Sequence, residues 1–518
     1  MIIRLILLLV VGVLFSTVEG FGQNTWVKTY GGSRFDKVSS ILSNIDHSFL
    51  LTGQSRSGDG DFTIFAKDTS DRGFVMKCDS NGEIEWTNYI PSNSLQLNSF
   101  ITNTISGGYV TCSQNYSVVT IQKINSKGNI VLWSKNFETI NILGSMLRTN
   151  NDEYVITGTS NWTSNSSVVI LKIDSKGEIL WLKVIDGSLD DRSSSIKLCK
   201  DACFLITGTT FSSDLDFSGV NKGKGDIFAL KLDTNSNLMW KCVFGGTSFD
   251  EGISVVSTTD NGCIIIGNIL SNDGDFENMN KGSKDIFVTR LNYKGEIVWN
   301  KTFGGTNDDF ILGKHSIIEA NDGFVFTGKT NSNDGDFKDL NKGGFDIFLT
   351  KINKNGDIAW NRIFGGKSNE AGISLTNILK GGMLLTGTTT SNDGDFLGLN
   401  KLEKEGNEDI FVMKLDSNGN LNNTTSINEY SEPTTTLSVH PNPFSNSTTV
   451  SYKVETPSNV RIELLNTLGQ TIEVLREDYT DIGTYQLPLN ISTLSSGMYS
   501  IRMISGSMNE VVPVCVVR

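Results

Sequence analysis

Residues 252–305 read GISVVSTTDNGCIIIGNILSNDGDFENMNKGSKDIFVTRLNYKGEIVWNKTFGG, four short runs in which apolar and polar positions alternate. A period of two predicts strands whose side chains point to opposite faces. The runs are A (Ile253–Thr258), B (Cys263–Ile269), C (Asp285–Asn292) and D (Glu296–Phe303). Thr259-Asp260-Asn261-Gly262 joins A to B, and Tyr293-Lys294-Gly295-Glu296 joins C to D. Both turns contain residues that accept positive φ and so close hairpins. A longer acidic loop, SNDGDFENMNKGSK, separates B from C. The stretch predicts one antiparallel four-stranded sheet with two apolar faces.

Such a sheet cannot bury both faces alone, and the chain supplies copies to stack on it. A tryptophan marks each D run: Trp26, Trp86, Trp133, Trp181, Trp240, Trp299 and Trp360, spaced by 60, 47, 48, 59, 59 and 61 residues. Four-stranded units of this period, joined by a short crossing such as GGTNDDF, predict a β-propeller. Seven A-B-C sets begin near Val38, Asn98, Asn141, Ser193, Gly252, Gly313 and Gly372. Trp26 lies in a D run ahead of the first A, whereas the last set ends in Asp416–Leu421 with no tryptophan. The strand Thr25–Tyr30 is therefore expected to pair with the last C run, Asp409–Leu415, and complete the seventh blade.

The repeat resembles the bacterial β-propeller repeat family, whose pattern is GG, Asp, a strand, an Asp-Gly turn, a strand ending in Thr-Gly, then Asp-Ile-Phe-x-x-Lys. The resemblance runs over roughly residues 24–421 and implies fold, not chemistry. Residues 416–436 are polar and aperiodic, and 422–436 read as a linker. Residues 437–518 then alternate in about seven short runs, which predicts a small Ig-like β-sandwich. Here LSVHPNPFSNSTTVSY, ELLNTLGQ, LSSGMYSIRM and the terminal VVPVCVVR resemble the C-terminal sorting domain of type IX (Por) secretion cargo. Its motif falls on Pro441, Asn442, Pro443, Gly469, Gly497 and Tyr499, with His440 and Cys515 as small departures. The resemblance implies the type IX machinery as partner, and export across the outer membrane to the cell surface or medium. The fold class expected for the whole chain is all-β: a seven-bladed propeller of four-stranded blades over residues 23–421, then the sandwich.

Residues 1–22 carry Arg4, an apolar run Leu5–Phe15 and a small-residue exit through Ser16, Gly20 and Gly22. The run is too short to span a bilayer and reads as a secretory signal peptide cleaved near Gly22, with no cysteine behind it for a lipid anchor. No other stretch approaches a transmembrane length, so the mature chain is expected to lack a membrane span. A formal charge of −13 excludes a nucleic-acid footprint and leaves room for a bound cation. Seven scattered cysteines make no disulfide framework; Cys199 and Cys203 read either as a bridge across a turn or as two small buried hydrophobes. The three histidines, His47, His315 and His440, sit near no cysteine pair, which leaves little room for zinc.

In an up-and-down blade, B–C loops and D–A crossings share one face, so the acids collect there. The B–C loops bring Asp59 and Asp61, Asp214 and Asp216, Asp273 and Asp275, Asp334 and Asp336, and Asp393 and Asp395. The crossings bring Asp36, Asp191, Asp250, Asp309 and Glu370, and the crossing acid and first loop Asp stand 23 residues apart in four of five blades. Blades two and three lack both features together. One reading is that these acids converge on Ca²⁺, a cation suited to carboxylate and carbonyl oxygens. The other is that Asp caps its own loop and the pairing reflects duplicated repeats. The D-run tryptophans read as packing between blades rather than sugar platforms. Trp162, in the short loop NWTSNSS outside the repeat pattern, is a candidate for glycan stacking. No nucleophile with a base, asymmetric carboxylate pair or metal triad stands out. The chain therefore reads as an exported binding or adhesion module for a glycan or protein ligand. The alternatives are a polysaccharide hydrolase or lyase, and a structural surface component without a small ligand.

Overall fold

A computed structural model describes residues 25–65, 72–90, 96–115, 118–160, 165–219, 221–379, 381–399, 408–421, 437–440, 442, 444–445, 447–454, 457–466, 470–481, 483–490, 494–505 and 508–517. The signal-peptide and linker readings, and Trp162, fall outside these residues. The chain divides into two compact units, residues 1–423 and 424–518.

The first unit is a ring of seven antiparallel sheets, each with its strands in the order A-B-C-D. Blade one comprises Asp36–Ser43, Phe49–Ser55, Arg72–Cys78 and Ile84–Tyr89; blade two Gln96–Asn103, Tyr109–Asn115, Val118–Ile124 and Val131–Phe137. Blade three comprises Ile142–Arg148, Tyr154–Thr159, Val168–Ile173 and Ile179–Ile185; blade four Asp191–Leu198, Phe204–Thr210, Asp226–Leu232 and Leu238–Phe244. Blade five comprises Asp250–Ser257, Cys263–Ile269, Asp285–Leu291 and Ile297–Phe303. Blade six has Gly323–Thr330, Asp346–Asn353 and Ile358–Phe364 as B, C and D, and its A strand is broken into Asp309–Phe310 and Ile317–Ala320. Blade seven takes Glu370–Asn377, Met383–Thr389 and Asp409–Leu415 as A, B and C. Its D strand is Trp26–Tyr30 from the other end of the unit, paired from Trp26 with Lys414 to Tyr30 with Ile410. The ring closes as the alternation of the sequence predicts.

Strands B and C read as nearly continuous apolar runs because both their faces are covered by neighbouring blades. Val288, Phe287 and Ile266 in blade five, for example, are all fully buried. The D-strand tryptophans do the joining. An ideal Cβ on Gly295, in the C–D turn of blade five, would lie 2.6 Å from the ring of Trp240 of blade four. The same relation links Trp26 to Gly82, Trp86 to Gly128, Trp299 to Gly356 and Trp360 to Gly419. Trp181 donates its indole N–H to Thr234 O at 3.1 Å. Each tryptophan is thus a latch on the turn of the next blade, which fixes its place in every repeat.

Among its described residues the second unit has seven strands in two sheets. Leu437–His440, Ser447–Val454 and Gly483–Asn490 form one, and Thr471–Thr480, Ser458–Leu465, Gly497–Ser505 and Met508–Val516 the other. Buried Leu437, Val450, Tyr452, Val460, Ile462, Ile501 and Val514 form their common core.

Candidate functional site

The acids singled out from the sequence do gather, and the tight turn of each D–A crossing, Gly-Gly in four of the five blades and Asp186-Gly187 in blade four, is what gathers them. The turn entering blade five shows the pattern. Asp250 accepts from the N–H groups of Gly246 at 2.9 Å and of Leu270 and Ser271 at 3.1 Å. Asp273 accepts from Thr247 N at 2.8 Å, and Asp275 from Gly245 N at 2.9 Å, while Asp275 N returns a bond to Gly245 O at 3.0 Å. Between these acids, Gly274 takes φ +63° and Phe276 drops fully into the core, so the Asp-Gly-Asp-Phe loop is anchored from below.

The other four blades repeat these contacts. The crossing acids Asp36, Asp309 and Glu370 accept from Gly32, Gly305 and Gly366 N at 2.9 Å, and Asp191 accepts from Ser212 Oγ at 2.9 Å. Of the first loop acids, Asp59 meets Ser33 N at 2.7 Å, Asp214 meets Ser188 N at 2.9 Å, Asp334 meets Thr306 N at 2.8 Å and Asp393 meets Lys367 N at 2.9 Å. Of the second, Asp61, Asp216, Asp336 and Asp395 bond the N–H of Gly31, Asp186, Gly304 and Gly365 at 2.8 to 3.0 Å. Lysines of the preceding blade supply a counter-charge: Lys222 to Asp275, Lys281 to Asp336 and Lys342 to Asp395, each at 2.5 Å. The joint presence of crossing and loop acids follows from their shared turn. Among the described residues, the one grouping of three side chains with ligand atoms close enough for a metal is Cys199, Asp201 and Cys203, and its two sulfurs are joined in a disulfide.

A further set of acids, hidden in the sequence as the first residue of Asp-Ile-Phe, completes the framework: Asp226, Asp285, Asp346 and Asp409, all fully buried. An ideal Cβ on Gly245 would lie 2.2 Å from Asp226 Oδ1 and 3.1 Å from Asp250 Oδ2, so two carboxyls crowd one glycine. Burial pushes the Asp36 and Asp191 carboxyls up to about 6. It pushes Asp285 up to about 7, with the Asp309 charge adding to the effect. Asp226 and Asp346 are raised by burial and by Asp250 and Glu370 respectively. In contrast, the N–H groups facing Asp59 and Asp214, and the Thr247 hydroxyl and N–H facing Asp273, hold these loop acids below the usual carboxylate range.

Above this constant framework, the residues flanking the crossing acid change from blade to blade. The position before it is Phe35, Asp190, Phe249, Asp308 or Asn369, and the position after it Lys37, Arg192, Glu251, Phe310 or Ala371. Half-buried aromatics gather here with cations over them. Phe211 and Phe249 pack at 5.8 Å with Arg192 above Phe211 at 5.6 Å. Phe310 and Phe345 also pack at 5.8 Å, with Lys329 4.1 Å from the Phe345 ring and Lys284 4.8 Å from that of Phe310.

The channel holds what the sequence reading missed. Six A strands, and in blade six the gap in strand A, present a serine with at most 2% exposure: Ser40, Ser99, Ser145, Ser195, Ser254, Ser316 and Ser374. In blades one, four, five and seven this serine follows the crossing acid by four residues, whereas in blade six Asp309 and Ser316 are seven apart. The three additional residues break strand A and drive residues 311–316 across the channel. His315 Nε2 reaches Ser145 Oγ of blade three at 2.7 Å, and its ring packs on Phe100 of blade two at 5.0 Å. Lys314 Nζ donates to Leu143 O at 2.5 Å, and Lys314 O accepts from Ser195 and Ser254 hydroxyls at 3.0 and 2.9 Å. Leu375 N of blade seven donates to His315 O at 2.9 Å. The repeat reading, which starts the blade-six set near Gly313, puts His315 in an A strand like the others. The available signal was the one blade whose crossing acid and first loop Asp are 25 rather than 23 residues apart.

Burial pushes the amines of both Lys314 and Lys197, the latter from strand A of blade four, down to about 8. Burial and then the charges of Lys197 and Lys314 hold the His315 imidazole well below its ordinary value, so it is neutral at pH 7. Among the described residues no carboxylate bonds the second ring nitrogen of His315, and Ser145 is fully enclosed. The pair therefore lacks both the orienting group and the access of a hydrolytic centre.

In the second unit, Asn442 Oδ1 accepts from Cys515 N at 2.8 Å, and Phe444 N donates to Cys515 O at 3.0 Å. The motif asparagine thus pins the last strand to the start of the sandwich. Tyr499 donates its hydroxyl to Ser495 O at 3.1 Å, and Gly497 opens the strand that carries it. Pro441, Pro443 and Gly469 lie outside the described residues.

Residues 438–516 match the family described as the secretion system C-terminal sorting domain. The chain is type IX secretion cargo, sent across the outer membrane to the surface or the medium, and among the described residues no helix is long and apolar enough to cross a membrane. A curated relative, the Regulatory protein FlaEY of Caulobacter vibrioides, is 22% identical over 192 residues, 35% of this chain and 20% of that protein. The match thus spans a fifth of the relative's length. Among solved structures, the Neurospora crassa Pan2 WD40 domain is 12% identical with a TM-score of 0.41, covering 73% of this chain and 89% of that one. The Dos1 propeller is 10% identical with a TM-score of 0.43, covering 75% and 95%. Polysaccharide lyase Uly1 is 10% identical with a TM-score of 0.43, covering 75% and 90%.

Proposed function

We propose that the exported propeller is a binding module that takes a glycan on its loop face. The observation that carries this reading is the contrast between an acid and glycine framework that repeats and a flanking layer that does not. Half-exposed Phe211, Phe249, Phe310 and Phe345 beside Arg192, Lys284 and Lys329 give that layer ring faces and hydrogen-bond donors together, the combination that sugars use. The sorting domain brings the module to the surface and takes no part in recognition.

A glycan array probed with the purified mature protein tests this. Binding is expected, and Phe249→Ala and Phe345→Ala are each expected to weaken it about tenfold, the effect of losing roughly 1.4 kcal/mol of contact. Release of reducing ends or unsaturated sugars from a bound glycan would turn the reading toward an enzyme. A blank array would end it.

A further inference from the structure

The chain carries a formal charge of −13, yet the middle of its ring is cationic. Lys197 of blade four and Lys314 of blade six both act through space on the neutral His315, all three are half-buried, and Lys314 O accepts from Ser195, two residues before Lys197 on its strand, at 3.0 Å. Neither lysine forms an ion pair with a described carboxylate. Lys314 Nζ donates to a backbone carbonyl, and Glu251 of blade five acts on it only through space. Lys197 Nζ has no hydrogen-bond partner among the described residues. A half-buried ammonium without a partner is unfavourable, and a bound anion removes the penalty. Hydroxyl donors line the same ring. Ser99 and Ser374 have buried Oγ atoms without partners, each in the A strand of its blade.

We propose that the channel is an oxyanion site in which Lys197 and Lys314 hold a carboxylate or sulfate group, with His315 as neutral donor, and that the group is carried by an acidic glycan. The three residues added to blade six build the site, because they bring Lys314 and His315 to face Lys197. The assignment of a glycan rests on the binding reading above, whereas the anion site stands on the channel geometry alone.

Titration calorimetry on the mature protein at low ionic strength tests both. The probes are sodium sulfate, a glucuronate-containing oligosaccharide and its carboxyl-reduced neutral form. The acidic oligosaccharide is expected to bind at least tenfold more tightly than the reduced one. Lys197→Met and Lys314→Met should each remove that difference, and Lys197→Arg should keep most of it. An unchanged or higher unfolding midpoint for Lys197→Met shows that the loss is not misfolding. Sulfate binding that needs both lysines, without preference for the acidic glycan, would keep the site and overturn the glycan as its source. Equal binding of both oligosaccharides, untouched by the lysine changes, would overturn the anion site and leave the binding module. Binding of neither oligosaccharide nor sulfate would overturn both.

Discussion

The loop framework and the channel plug use charge in opposite ways. Around the crossing turns every acid named from the sequence has protein donors of its own, and several have a lysine as well. In the channel, Lys197 has neither hydrogen bond nor counter-ion among the described residues, and Lys314 bonds only a carbonyl. A charge that is abundant, repeated and satisfied marks the scaffold. A charge that is rare, unrepeated and unsatisfied marks the place where the fold gives up stability, as functional sites do.

The largest effect expected from this contrast is on the pH dependence of unfolding. Asp36, Asp191, Asp226, Asp250, Asp285, Asp309, Asp346 and Glu370 all have raised carboxyl pKa values, with burial as the main cause. The unfolded chain releases these protons near pH 4, whereas the fold holds those of Asp36, Asp191, Asp226 and Asp346 to about 6 and that of Asp285 to about 7, and raises the other three, so the folded state holds more protons in between. Stability must fall as pH rises through that window. Urea midpoints should therefore increase when pH drops from 8 to 5, and a decrease would mean that the buried acids are charged in the fold.

Next in size, Asp250→Ala leaves the N–H groups of Gly246 and Ser271 without their acceptor, while that of Leu270 keeps only Phe249 O. At roughly 1–3 kcal/mol for each buried donor left unsatisfied, a loss of about 3 kcal/mol or more is expected in chemical denaturation. A loss under ~1 kcal/mol would show that water replaces the carboxylate. The opposite sign is expected in the channel. Lys197→Met removes a desolvated amine whose folded pKa is pushed down to about 8, and stability should rise by about 1 kcal/mol at pH 7. The gain should shrink as pH rises past 8 and the amine sheds its proton without help. A destabilised Lys197→Met would erase the distinction between scaffold and site. The smallest effect is that of calcium. With the loop acids already bonded to N–H groups and lysines, millimolar Ca²⁺ against chelator should shift the unfolding midpoint by less than about 1 °C. A larger shift, abolished in Asp273→Asn with Asp275→Asn, would restore the loop acids as cation ligands.

Much of this fold was legible because its information is local and repeated. The tryptophan period, the hairpin turns and the missing last D run together yield seven blades and their closure by Trp26–Tyr30. The sandwich followed from alternation, and its motif asparagine, Asn442, proves to tie down the final strand. The loop acids were found as positions but not as roles, since an Asp-x-Asp spacing serves an ion or a Gly-Gly turn equally well. Asp226, Asp285 and Asp346 were hidden because each opens an apolar strand and reads as its edge. The channel was the hardest part. A contact such as His315 with Ser145 joins blades three and six, and no local pattern announces it. What does so is the irregular spacing of blade six, seven rather than four residues from crossing acid to serine and 25 rather than 23 from crossing acid to first loop Asp.

Closure by the first strand also imposes an order of events on the chain. Trp26–Tyr30 leaves the ribosome ahead of the other strands of the propeller, and its partner Asp409–Leu415 emerges only when the rest of the propeller has been made. Until then the unit is an open arc, with an unpaired strand at one end and an unlatched tryptophan at the other. A chain that stops short of Asp409–Leu415 cannot close in this way, so the closed ring reports that the propeller has been made as far as that strand. The sorting sequence lies beyond the last blade. Whatever carries that address has already passed the point at which the ring can lock.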